Sequence, residues 1–226
     1  MQNEICCFGD SITKGVVYDT EKQRYSVTEK NFIKLFSESQ NINVNNYSKF
    51  GCTVERGLKI AAQNVNNLKN CNCVALEFGG NDCDFDWGSI SENPDAEYTS
   101  KTPIDTFIDS YKKIINQVKN MGKQVVIINL PPLDAGKYFA WVSRGRNREN
   151  LIKWLGNSTE YIYRWHEFYN TVVGDIANQM MVPLIDIRSE FLKKKNYSDF
   201  LCADGIHPNE DGHELIFNAF TGAYPM

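Results

Sequence analysis

The 226-residue sequence carries 24 Lys and Arg against 28 Asp and Glu, with 42% hydrophobic and 23% charged residues, the balance of an ordinary globular protein. A net charge of −4 argues against nucleic acid or an anionic membrane surface as partner, and the short Lys193-Lys194-Lys195 run reads as a solvated helix end. No apolar run approaches the ~20 residues of a membrane span, and Met1-Gln2-Asn3-Glu4 begins no basic-then-apolar leader, so the expectation is a cytoplasmic protein without integral membrane association.

Short apolar runs alternate with longer amphipathic segments along the chain. Ile5 to Phe8 reads as a buried first strand, with Cys6 and Cys7 on opposite faces. Ser26 with Glu29 has the spacing of a capping box and predicts a helix to about Ser39. Ile42 to Tyr47 alternates as a second strand, and Thr53 then caps a helix through about Leu68. Val74 to Phe78 is the third strand. Thr102-Pro103 opens a helix on which Phe107, Ile108, Tyr111, Ile114, Ile115 and Val118 recur at helical spacing, and Gly122 ends it. Val125 to Leu130 is the most apolar strand and is stopped by Pro131-Pro132. A long helix is expected over Thr159 to Met180, a fifth strand over Val182 to Ile185, and a last helix after Asn209 that includes Leu215, Ile216 and Phe220.

No repeat, low-complexity tract or linker interrupts this order, so residues 1–226 are expected to form one domain, with insertions at about 83–100 and 133–158. Strand-helix alternation predicts a parallel sheet covered on both faces, whose functional loops lie at the carboxyl ends of the strands. Ser11, Gly51, Asn81 and Pro131 each fall just after a predicted strand end. The seven cysteines are odd in number and irregularly spaced, with Cys71-Asn72-Cys73 lacking zinc or redox spacing; reduced, mostly buried thiols are expected.

Four islands carry the chemistry. Ser11 sits in the turn of Phe8-Gly9-Asp10-Ser11-Ile12-Thr13; a lone Gly-Asp-Ser is common and reads first as a cap or turn serine. It is not the G-x-S-x-G elbow. His207 could serve as base to Ser11, and Asp204, three residues earlier, could lie under the imidazole and fix its tautomer. Of the other histidines, His166 reads as a surface or packing residue and His213 as structural or a rim contact. In Gly79-Gly80-Asn81-Asp82, the Asn81 amide could donate to a tetrahedral oxyanion, although the stretch is equally rich in turn residues. Gly51 could offer a backbone N–H to the same oxygen; alone it reads as a loop glycine. Asp10 and Asp82 are assigned to turn-stabilising hydrogen bonds and not to catalysis, with Asp10 also among the candidate substrate contacts.

These islands, in this order, resemble the SGNH hydrolases, or GDSL-type esterases and lipases, over almost the whole chain. The matching residues are Gly9-Asp10-Ser11 with Thr13, Gly51 with Thr53, Gly79-x-Asn81-Asp82 and Asp204-x-x-His207-Pro208. The resemblance implies a flavodoxin-like three-layer α/β/α sandwich around a five-stranded parallel sheet. It implies Ser11 as nucleophile, His207 as base, Asp204 as orienting acid, and an oxyanion hole made by the Ser11 N–H, the Gly51 N–H and the Asn81 side chain. Ile12 stands where the family name has leucine, and a bulky Phe50 precedes Gly51 where small residues are frequent.

The two insertions are acidic-aromatic and basic-aromatic respectively, and could form a lid or pack together. Their aromatics fit a substrate wall and a satellite core equally well. Phe50, Asp10, Trp87, Tyr138 and Trp141 are the candidate substrate contacts. The reading is a serine esterase for small or short-chain carboxylic esters, acetylated carbohydrate among them, needing no cofactor and no metal. Its partner is a small-molecule ester; homo-oligomerisation is left open. An acyltransferase or a lysophospholipase/thioesterase uses the same acyl-enzyme. From other classes stand a metal-dependent phosphoesterase, drawing on Asp10, Asn81, Asp82, Asp204 and His207, and a non-catalytic binding module.

Overall fold

The structure, a computed structural model, describes residues 4–223. Its centre is a five-stranded parallel sheet of β1 (Glu4–Gly9), β4 (Asn43–Asn46), β5 (Cys73–Glu77), β6 (Gln124–Ile128) and β7 (Leu184–Ile185), in the order β4-β1-β5-β6-β7. The alternation of side chains across β1 sends Cys6 and Phe8 to one face and Ile5 and Cys7 to the other. On the first face lie α3 (Val54–Gln63), α4 (Val65–Leu68), α6 (Ile104–Asn120) and α9 (Glu160–Gln179). On the second lie α2 (Phe32–Gln40), α10 (Arg188–Leu192) and α11 (Glu210–Ala223). This is the expected three-layer sandwich. The stripe Phe107, Tyr111, Ile114, Ile115 and Val118 is wholly buried, which is why α6 forms where its spacing placed it.

The segment before α2 departs from expectation. Ser26 and Glu29 do not cap a helix. Val16–Asp19 (β2) and Arg24–Val27 (β3) pair antiparallel as a separate hairpin, and α2 starts at Phe32, capped by Asn31, whose side chain accepts from the Lys34 N–H. β-branched and aromatic residues at Val16, Tyr18, Tyr25 and Val27 favour the ladder over the helix. A four-residue helix, α1 (Ser11–Lys14), links β1 to this hairpin and closes at Gly15, whose φ of 81° suits glycine.

Two other boundaries move. The helix expected from Thr53 to Leu68 breaks at Asn64, whose side chain donates to the Ile60 carbonyl at 2.8 Å and competes with the backbone. Thr53 makes no side-chain cap; the Val54 N–H is taken instead by the Asp82 carboxylate at 3.0 Å. The fifth strand shrinks to two residues because Pro183 has no N–H to give, although its carbonyl accepts from Ile127 at 2.9 Å.

The insertions fold as α5 (Trp87–Glu92), α7 (Ala135–Val142) and α8 (Arg148–Trp154) and pack on each other around Phe85, Ile90, Phe139 and Leu151. Asn147 N and the Asn150 amide tie them through Ser91 at 2.7 and 2.8 Å. All seven cysteines are free, six of them buried. Among the described residues no helix is long and apolar enough to cross a membrane.

Candidate active site

Ser11 opens α1 just past the end of β1, and His207 lies in the loop before α11. Each is held by its own turn. Asp10 caps α1 by accepting the Ile12 N–H at 2.8 Å, and the Cys202 N–H donates to the His207 carbonyl at 2.7 Å. Ser11 Oγ and His207 Nε2 are 2.9 Å apart, and His207 Nδ1 lies 2.6 Å from Asp204 Oδ2. Ser11 is 5% exposed, His207 2% and Asp204 0%.

Asp204 has four partners. Its Oδ1 accepts the Ile206 and His207 N–H groups, each at 3.1 Å, and its Oδ2 accepts from His207 Nδ1 and from the Tyr25 hydroxyl at 3.0 Å. Burial alone would push this carboxyl up; hydrogen bonding and charge from His207, with the two backbone N–H groups, outweigh it and hold Asp204 below the usual carboxylate range. An ionised carboxylate only accepts, so Nδ1 carries the imidazole proton and Nε2 turns its lone pair to Ser11. The arrangement can take the Ser11 proton as the oxygen attacks an electrophile.

Tyr25 was not singled out from the sequence. It stands on β3, with its ring 5.2 Å from that of His207 and its phenol pushed up, by burial first and then by Asp204. The signal for it lay in the alternating aromatic and β-branched residues of the hairpin.

Asn81 reaches the same region from the loop after β5. Its Nδ2 donates to Asp10 Oδ2 at 2.7 Å, which uses one of the two amide hydrogens. Gly51 has φ +65°, a left-handed conformation suited to glycine, and a Cβ there would meet no protein atom within 4 Å. Asp82, expected in a turn, is buried and pushed up to about 7, chiefly by desolvation, while it caps α3. Among the described residues no group of three or more acidic, histidine or cysteine side chains is placed to hold a metal ion.

A cleft of about 980 Å³ opens over Ser11, Asn81 and His207. Phe50, Trp87, Tyr138 and Trp141 line it; Asp10 does not, being a buried cap beneath the site. Phe50 is 48% exposed and stacks on His207 with centroids 5.9 Å apart. Trp87 Nε1 and the Tyr138 hydroxyl both donate to Asp84 Oδ1, at 2.8 and 2.6 Å, so these rings belong to the satellite core and the cleft wall at once. Arg144 lies 3.8 Å over the Trp141 ring. His166, expected at a surface or packing position, is buried on α9 and lines the cleft; desolvation first, then Arg188, drives its imidazole down to about 3. His213 is buried in α11 against Phe32, with neither ring nitrogen bonded.

The family described as GDSL-like Lipase/Acylhydrolase matches residues 7–215. No curated protein matches. Solved structures do. The lipase/acylhydrolase from Enterococcus faecalis is 21% identical with a TM-score of 0.69, covering 98% of this chain and 94% of that one. A variant of an acetyl xylan esterase from Geobacillus stearothermophilus is 16% identical with a TM-score of 0.67, over 98% and 94%. The acetyl xylan esterase AlAXEase is 18% identical with a TM-score of 0.66, over 98% and 100%.

Proposed function

The chain belongs to the GDSL-like lipase/acylhydrolase family and is an ester-bond hydrolase, and on that premise we propose that it is a serine esterase acting on small or short-chain carboxylic esters, with acetylated carbohydrate as the favoured substrate class. The observation that carries this reading is the buried line from Ser11 Oγ through the His207 ring to Asp204, with links of 2.9 and 2.6 Å. Ser11 Oγ attacks the ester carbonyl carbon while His207 Nε2 takes its proton. The oxyanion is held by the Ser11 N–H, the Gly51 N–H and the remaining hydrogen of the Asn81 amide. Collapse breaks the ester C–O bond, His207 returns the proton to the leaving alkoxide, and an acyl-Ser11 remains. Water, deprotonated by His207, then attacks the acyl carbon; the acyl C–Oγ bond breaks, His207 returns the proton to Ser11 Oγ, and the acid is released.

The substrate class is supported by the wall of the cleft. Trp87, Tyr138 and Trp141 offer flat faces, and Asp84 and Arg144 offer polar groups beside them, a mixture that suits a hydroxylated ring better than a long alkyl chain. Likeness to two acetyl xylan esterases points the same way. The test is hydrolysis of p-nitrophenyl acetate through longer acyl chains, then of acetylated sugars, by wild type and Ser11→Ala. The expected result is a rate that falls with chain length and is lost in the variant. Equal rates in the two proteins would remove Ser11 from the role of nucleophile.

A further inference from the structure

Two acids that the proposed reaction does not use lie close to Ser11, and one of them, Glu77, lines the cleft with it. Glu77 ends β5 and is paired in register with Gly9, the last residue of β1, so its side chain comes up beneath α1. It is 1% exposed. Its Oε2 accepts the Thr13 hydroxyl at 2.8 Å and faces the Asp10 N–H at 3.5 Å. Its Oε1 is buried without a hydrogen-bond partner. Asp10, beside it, already accepts from Ile12 on one oxygen and from Asn81 on the other. The Asp10 and Glu77 carboxyls lie within hydrogen-bonding reach of each other.

Neither acid has a Lys or Arg partner among the described residues. The titratable groups that face the pair are Asp82 and Cys83 from the same loop as Asn81, His207 from the loop before α11, Tyr111 from α6 and Cys52 from the loop before α3. None but His207 can be cationic. Two carboxylates in contact in so dry a place repel strongly, and a proton between them removes the repulsion and turns one oxygen into a donor. Burial first, then the charge of Glu77, raises Asp10 well above the usual range; burial raises Glu77 as well.

We propose that Glu77 is a positioning residue of this site: it shares one proton with Asp10, and through that link it fixes both the helix that carries Ser11 and the amide of Asn81. The chain of contacts is continuous, from Thr13 to Glu77, from Glu77 to Asp10, and from Asp10 to Asn81. Glu77 does not touch the reacting atoms. Losing it frees the Asp10 carboxyl to reorient, and the Asn81 hydrogen meant for the oxyanion follows.

This inference rests on the serine-esterase reading, and its test separates the two. Glu77→Gln keeps an oxygen for Thr13 and an N–H for Asp10, so kcat should stay within about threefold of wild type. Glu77→Leu removes both, and kcat should fall by roughly 10²-fold, the scale of losing one oxyanion donor, with KM little changed. Infrared difference spectra of wild type against Glu77→Gln at neutral pH should show one carboxylic-acid C=O band lost; this readout needs only that Glu77→Gln folds. Labelling of wild-type Ser11 by a small fluorophosphonate checks the nucleophile independently. A labelled Ser11 with no band lost, with Glu77→Leu at wild-type kcat, or with Glu77→Gln as slow as Glu77→Leu would overturn the inference alone. An unlabelled Ser11 together with an active Ser11→Ala would overturn the esterase reading and the positioning role with it.

Discussion

Tyr25→Phe is the most discriminating single change, because it removes one oxygen and almost nothing else. The ring keeps its contacts with His207 at 5.2 Å and with Phe50 at 5.3 Å, and phenylalanine leaves no orphaned donor. What goes is the 3.0 Å hydrogen bond to Asp204 Oδ2. A hydrogen bond to a charged group contributes about 1.5–3 kcal/mol, but this phenol is only half-buried and Asp204 keeps three other donors, which brings the expected loss to about 1 kcal/mol. For a chain of this size that lowers Tm by roughly 2–4 °C. If the bond strengthens by about 1 kcal/mol in the transition state, where His207 becomes cationic and leans harder on Asp204, kcat/KM should drop about fivefold with KM hardly moved. Thermal melts and p-nitrophenyl acetate kinetics read both effects. Tyr25→Phe with wild-type Tm and wild-type kcat/KM would refute the reasoning and leave the hairpin without a part in orienting the base.

Asn81→Ala should lower kcat by roughly 10²–10³ if its free amide hydrogen binds the oxyanion, and an undiminished rate would remove it from that role. Gly57→Ala should destabilise by roughly 1–3 kcal/mol in urea melts, since its Cβ would stand 2.2 Å from Phe78 Cζ; unchanged stability would mean the ring can swing aside. His213, driven down to about 4 from its ordinary 6.5 by burial and then by His207, stays neutral in the folded chain while the unfolded chain takes up a proton. Its contribution is therefore complete above about pH 6.5 and is lost as pH falls toward 4, by about 3 kcal/mol. His213→Phe should preserve the packing on Phe32 and flatten stability between those two pH values; urea midpoints that still fall as steeply as wild type would contradict this.

The sheet and the long helices were readable because each is dictated by a run of burial. Val74-Ala75-Leu76 and the stripe from Phe107 to Val118 admit one periodicity each. The hairpin was not read. Ser26 and Glu29 have capping-box spacing, yet the local rule lost to pairing with Val16–Asp19, which spacing within one segment cannot express. At the site, motif order points to Ser11, Asp204 and His207, whose side chains lie in one hydrogen-bonded line. The wiring around them was hidden for a physical reason: short polar residues in turns look alike until their partners are known. Asp10 and Asp82 both read as turn residues; Asp10 does stabilise its turn through the Ile12 N–H but also grips Asn81, and Asp82 caps a helix 28 residues upstream. Glu77 did carry a signal, as a charged residue inside the apolar run Val74 to Phe78, since an acid at such a position is rarely buried without a task.

The contacts that make the site span long stretches of chain: 196 residues between Ser11 and His207, and 179 between Tyr25 and Asp204. Such closures come late, because parallel strands and distant loops must meet before they are rewarded. During synthesis Ser11 leaves the ribosome 196 residues ahead of His207 and waits for it through that stretch of elongation. On the serine-esterase reading, the nascent chain therefore stays silent toward esters until His207 has joined the fold. In refolding, recovery of ester cleavage should trail the recovery of helical signal, which makes turnover a reporter of completed assembly.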